Sequence, residues 1–74
     1  MEVRIKLYAS LGITLFKDEV RDYPFGTRTS QVLTNLGIAD NLVGIVLING
    51  QHASVNDPLQ SGDTLSLFPL VDGG

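Results

Sequence analysis

The sequence predicts a small α+β fold: a mixed sheet of about five strands with one short helix packed on one face. Three observations carry this. From Glu2 to Ser10 apolar and polar residues alternate strictly, the period of a half-buried strand. Val32, Leu33 and Leu36 stand at helical spacing between Gly26 and Gly37. Asn49-Gly50 follows an apolar run from Leu42 to Ile48, a strong short-range hairpin signal because both residues tolerate positive φ.

Taken in order, Val3, Ile5, Leu7 and Ala9 form the buried face of the first strand. Leu11-Gly12 breaks the alternation, and Ile13 to Asp18 reads as a loop into a second strand from about Glu19 to Tyr23. Pro24 lacks a donor and Gly26 supplies a turn, so this strand ends near Phe25 at a position where a missing N–H is tolerated. The helix that follows spans two to three turns, capped by Thr27 or Thr29 and closed by Gly37 in the left-handed conformation. A helix this short draws its stability from the sheet beneath it.

The run from Leu42 to Ile48 is rich in Val, Ile and Leu and reads as a central strand buried on both faces. Gln51 to Val55 is the short return strand after the hairpin turn. Asn56-Asp57-Pro58 and Ser61-Gly62-Asp63 supply turns on either side of Leu59, and Thr64 to Val71 is the last strand. Strand, strand, helix, strand, strand, strand is the order of a β-grasp roll, a two-layer solution for one helix and about five strands.

The chain has 74 residues, which is the size of a single domain, 1–74. A fold this small buries only about 60% of the surface of its unfolded chain and depends on a well-ordered core or on staples. With no cysteine and one histidine, disulfides are excluded and a protein-only zinc site lacks most of its ligands. Eight acidic residues against five basic ones give a net charge of −3, which argues against nucleic acid as a partner. The longest apolar run is far below the ~20 residues that span a bilayer. The alternating N-terminus does not resemble a signal-peptide core, so no membrane association and a cytoplasmic location are expected.

Catalytic chemistry finds few candidates. His52 lies two residues beyond the Asn-Gly turn and reads as a solvent-facing strand residue, with no sequence-local acid and serine to form a triad. Asp18, Glu19 and Asp22 read as a solvated face. The glycines match neither G-x-G-x-x-G nor G-x-x-x-x-G-K-[ST], so no phosphate-cradling loop is expected.

The remaining feature is the chain end, Phe68-Pro69-Leu70-Val71-Asp72-Gly73-Gly74. A frayed terminus is its plain structural reading. Its functional reading is that two residues without Cβ can thread a narrow channel in a partner while main-chain groups bond the walls. The unhindered carboxylate of Gly74 could then be activated as an acyl-adenylate and attacked by sulfur or nitrogen in the partner's active site. Such a carrier needs no catalytic residue of its own.

These residues resemble a known family. Leu59-Gln60-Ser61-Gly62-Asp63-Thr64-Leu65, with the ending Phe68 to Gly74, is similar to the Leu-x-x-Gly-Asp-x-(aliphatic) … Pro-(Pro)-Val-x-Gly-Gly pattern of the ubiquitin-like prokaryotic sulfur carriers, the group of MoaD and ThiS. Val46 to Gly50 resembles their central strand and turn. Lys6-Leu7-Tyr8-Ala9-Ser10-Leu11 resembles the first strand of the MoaD branch, and Pro24-Phe25-Gly26 with Val32-Leu33 matches the family's turn and short helix.

The resemblance implies a ubiquitin-like fold with a flexible Gly-Gly tail and a non-enzymatic role. Gly74 would be adenylated by an E1-like enzyme that uses ATP and then converted to a thiocarboxylate, the carrier itself binding no cofactor or metal. Gly73 and Asp72 would thread the partner's channel, and Phe68, Leu70 and Val71 would dock. The sulfur acceptor would be a synthase, either a molybdopterin synthase large subunit-like protein or a thiazole synthase-like protein, and the free carrier would be a monomer. The MoaD branch, hence molybdopterin, is favoured over a ThiS-like role in making the thiamin thiazole. A non-covalent ubiquitin-like interaction module is the alternative of a different class.

The sequence departs from the MoaD pattern at three places. Leu70 replaces a frequent second Pro, Gly12-Ile13-Thr14 replaces a charged Arg-Glu pair, and Arg28 stands where a Ser or Thr cap is usual. These departures keep the carrier role but leave molybdopterin, thiamin, tungsten-cofactor and cysteine biosynthesis open as pathways.

Overall fold

The computed structural model describes residues 1–71. It contains β1 (Glu2–Leu7), α1 (Ala9–Thr14), β2 (Asp18–Asp22), α2 (Thr29–Leu36), β3 (Val43–Ile48), β4 (Gln51–His52) and β5 (Thr64–Pro69). A single 3₁₀ turn, Asp40–Leu42, leads into β3. The sheet order is β2-β1-β5-β3-β4, with β1 and β5 parallel and the remaining neighbours antiparallel. This is the mixed five-stranded β-grasp roll that the element order predicts, with two helices in place of one.

The additional helix has a local cause. Alternation holds through Leu7, but Ala9 adopts φ 51°, a left-handed conformation that ends the strand and turns the chain into α1. The residues from Ala9 to Thr14 are therefore helical, whereas the sequence suggests strand to Ser10 and a loop after Gly12. Tyr8 N–H donates to the Leu67 carbonyl at 3.1 Å and Leu7 N–H to the Lys17 carbonyl at 3.0 Å, which fixes both ends of this excursion against the sheet.

α2 lays Val32, Leu33 and Leu36 into one buried cluster with Val3, Ile5 and Leu7 of β1 and with Leu65 and Leu67 of β5. Its C-terminus closes as expected at Gly37, φ 76°. Its N-terminus does not use either threonine. The N-cap is Arg28, whose backbone N–H donates to Gln31 Oε1 at 2.8 Å. Thr27 Oγ1 donates instead to the Pro24 carbonyl at 2.7 Å. Thr29 already lies inside the helix, its hydroxyl buried without a hydrogen-bond partner. The Arg28 guanidinium donates to the Asn56 carbonyl, tying the helix start to the loop before Leu59.

β3 is not the central strand. β5 is, because the parallel β1–β5 pair occupies the middle of the sheet and pushes β3 towards the short edge strand β4. Accordingly β3 is buried on one face only: Val46 points into the core, while Gly44 and Ile45 are exposed. The hairpin turn forms as predicted, with Asn49 at φ 54° and Gly50 at φ 80°. The return strand is limited to Gln51–His52, since the chain leaves the sheet at Ala53, and His52 is exposed as expected. β5 stops at Pro69, two residues before the predicted end.

Candidate functional site

The sequence points to the C-terminal end of the chain. The structure shows where that end leaves the fold. β5 is held on both sides, by β1 through Arg4↔Thr64 to Leu7↔Leu67 and by β3 through Ile48↔Leu65 to Ile45↔Phe68. Leu65 and Leu67 are fully buried, so the last covalent stretch before the terminus is anchored in the core. The anchor continues one residue past the strand, where Leu70 N–H donates to the Leu42 carbonyl at 2.8 Å. Beyond this point Leu70 and Val71 are 65% and 68% exposed. Asp72, Gly73 and Gly74, the residues to which the sequence assigns the carrier chemistry, lie outside the described residues.

Of the three residues assigned to docking, Phe68 lies on the face of the sheet opposite α2. Strand alternation places Lys6 and Arg4 of β1, Ser66 of β5 and Ile45 and Leu47 of β3 on that same face. The Phe68 ring stacks on Tyr8, with centroids 4.3 Å apart and planes inclined by 11°. Tyr8 and Ile45 are partly exposed beside it, so the three side chains form an apolar patch directly beneath the point where the chain leaves the sheet. Tyr8 and Ile45 were not singled out from the sequence. Alternation gives Tyr8 its outward face, but only the strand register brings Tyr8, Phe68 and Ile45 together. Leu70 lies past the strand. Val71 turns towards a separate groove of about 270 Å³ on the helical side, lined also by Leu11, Leu15, Leu36, Ile38 and Leu42.

Beside the patch lie Lys6 and one exposed ion pair. Arg4 donates from Nε and Nη2 to the two carboxylate oxygens of Asp18 at 2.8 and 2.7 Å. These hydrogen bonds hold the Asp18 carboxyl below its ordinary range and the Arg4 guanidinium above its own. Solvent screening leaves such an exposed pair little influence on stability. On the opposite face Tyr23 donates to Asn35 Oδ1 at 3.0 Å, and partial burial raises its pKa. Among the described residues no three His, Asp or Glu side chains are grouped to hold a metal ion, and no helix is long and apolar enough to cross a membrane.

The fold has close counterparts among solved structures. SAMP1 from Haloferax volcanii is similar over 100% of both chains, at 23% identity and a TM-score of 0.76. A Pyrococcus furiosus protein described as molybdopterin converting factor subunit 1 is similar over 96% of this chain and 99% of its own, at 20% identity and a TM-score of 0.76. A chain from the complex of subunits 1 and 2 of the Helicobacter pylori molybdopterin-converting factor is similar over 100% of both chains, at 21% identity and a TM-score of 0.66. No curated protein matches the chain in sequence. At these identities the structures establish the ubiquitin-like β-grasp fold. The family follows from the sequence itself, because the ThiS family model matches residues 5–74, nearly the whole chain and including its terminal glycines. This chain belongs to the ThiS family of small ubiquitin-like sulfur carriers.

Proposed function

We propose that this protein carries sulfur as a thiocarboxylate on Gly74 and delivers it in cofactor biosynthesis, with a molybdopterin synthase large subunit-like protein as the first acceptor to test. The observation that carries this reading is the junction itself. The central strand of the sheet, paired on both sides, ends at Pro69, five residues before Gly74.

The chemistry is assigned to partners. The Gly74 carboxylate attacks the α-phosphorus of ATP on an E1-like enzyme, forming the acyl-adenylate and releasing pyrophosphate. A hydrosulfide-level sulfur nucleophile then adds to the acyl carbon and expels AMP, leaving the thiocarboxylate. On delivery the thiocarboxylate sulfur adds to an electrophilic carbon of the acceptor to give an acyl thioester, and water then cleaves the acyl–sulfur bond, leaving the sulfur on the acceptor as a thiol and restoring the Gly74 carboxylate. Gly73 and Asp72 occupy the partner's channel. The patch of Phe68, Tyr8 and Ile45 supports docking, since exposed aromatic and aliphatic groups that are desolvated together supply most of the binding energy of an interface. Leu70, exposed at the exit, extends this contact, and Val71 offers a second one at the groove on the helical side.

Intact-mass analysis after incubation with ATP, a sulfur donor and an E1-like enzyme tests the reading. The expected product has one oxygen replaced by sulfur, located at Gly74 by fragmentation. A chain that remains a plain carboxylate with activators of both the molybdopterin and thiamin types overturns it. The acceptor preference has its own test, in which the thiocarboxylate form is offered to a molybdopterin synthase large subunit and to a thiazole synthase. Faster sulfur loss to the second would make the role ThiS-like.

Docking is expected to depend on the stacked pair. Phe68→Ala should weaken binding to the activating enzyme by ~2 kcal/mol, about 30-fold in Kd. Titration calorimetry measures this, and the thermal midpoint of the free carrier controls for loss of fold.

A further inference from the structure

Gly44 interrupts the apolar run of β3, and its backbone gives no reason for a glycine: it is absent from the residues with positive φ. Its surroundings do. A Cβ built at Gly44 would lie 2.8 Å from Leu70 Cα, 3.1 Å from the Pro69 carbonyl oxygen and 3.3 Å from Leu70 N. All three are backbone atoms of the departing chain, so no side chain can swing aside to relieve the contact. The same place holds the irregularity in the sheet. Val43 pairs with Pro69 and Ile45 with Phe68, so β3 spends one more residue than β5 over this step, and Gly44 is that extra residue. Leu70 N–H donating to the Leu42 carbonyl at 2.8 Å closes the arrangement from the other side. The side of Gly44 on which a side chain would stand is thus covered by the main chain as it leaves the sheet.

We propose that Gly44 is a positioning residue for the carrier terminus: its missing side chain lets Pro69 and Leu70 pass directly over β3, and this sets the direction in which the last residues leave the fold. The inference rests on the carrier reading for its functional consequence, but the geometric part stands by itself. Only four residues separate Leu70 from the Gly74 carboxylate, at most ~3.6 Å of reach each. A terminus so short cannot make up for a misdirected exit. Reaction rates respond to displacement on this scale, a shift of about 1 Å costing up to about 100-fold.

The test compares the full-length chain with Gly44→Ala. Amide chemical shifts and hydrogen exchange report the geometry without any partner. The expected result is a change confined to Leu70, Val71 and their neighbours on β3, with the amides of Leu65 and Leu67 still protected. In the activation assay, kcat for thiocarboxylate formation should fall by about 10- to 100-fold. KM for the carrier should change less than kcat, because the substitution leaves the Tyr8–Phe68 stack in place. Inserting one glycine between Val71 and Asp72 of Gly44→Ala adds about 3.5 Å of reach and should recover part of the lost kcat.

A Gly44→Ala chain with wild-type kcat overturns the inference. So does one that unfolds, since the glycine would then serve the sheet and not the terminus. Wild-type protein that is never activated refutes the carrier reading instead, and the amide data still decide whether Gly44 steers the exit.

Discussion

Removing Gly73 and Gly74 is expected to abolish sulfur transfer while leaving the folded domain unchanged. The expectation joins two facts at different levels. Among the described residues, every side chain of the buried cluster lies between Val3 and Leu67 and the five strands end by Pro69, so the hydrophobic term that opposes chain entropy is built from these segments. The proposed chemistry, in contrast, has one reacting atom set, the Gly74 carboxylate. Truncation therefore separates stability from function. The thermal midpoint of the shortened chain should match that of the full chain, and thiocarboxylate formation should be undetectable. Extending the chain past Gly74 should have the same effect, because the carboxylate is then a peptide bond. A truncated chain that still supports its pathway fully would replace the carrier reading with that of a non-covalent interaction module. A large loss of stability would mean that the terminal residues pack on the domain.

The second large effect lies at the opposite end of the same argument. Leu33→Ala is expected to cost about 2–5 kcal/mol, the range for deleting a buried leucine side chain and leaving a cavity. Leu33 is fully buried and belongs to the cluster that joins α2 to β1 and β5. Domains hold only ~0.05–0.15 kcal/mol per residue, so a chain of this length has about 4–11 kcal/mol in total. No disulfide supplements the core, since the chain contains no cysteine. Thermal denaturation should show the midpoint falling by about 10–30 °C. Leu70→Ala, which removes a similar side chain from an exposed position, should leave it in place. Equal losses for the two variants would contradict the division between core and exit.

The same division explains which features the sequence reveals. Periodicity reports which side chains share a face, because it is a local property of a strand or helix. Val3, Ile5 and Leu7 were legible as buried, Val32, Leu33 and Leu36 as the face of a helix, and Asn49-Gly50 as a hairpin turn, all without knowing what lay beside them. The terminal glycines were legible too, as two residues without side chains. With the Leu-x-x-Gly-Asp and Pro-x-Val-x-Gly-Gly patterns, they were enough to indicate the family to which the chain belongs.

Neighbour relations were not legible. The run from Leu42 to Ile48 looks like a central strand because β-branched and aliphatic residues are consistent with burial on both faces. Its actual place beside the edge depends on the parallel pairing of β1 with β5, a contact between residues about sixty positions apart. The first helix was hidden because its start depends on a single alanine in the left-handed region, where a non-glycine residue is uncommon. The patch beneath the exit needs the register that sets Ile45 opposite Phe68 and the turn that stacks Tyr8 on it. Gly44 shows the distinction most plainly. In the sequence it is a gap in an apolar run, and only the path of Pro69 and Leu70 across it gives the gap a reason. By itself the sequence determined most of the elements, the core faces and the family, since each follows from residue type and spacing. Tertiary structure decided the order of the strands, the assembly of the Tyr8–Phe68–Ile45 patch and the path of Pro69 and Leu70 across Gly44, because these depend on which distant segments pair.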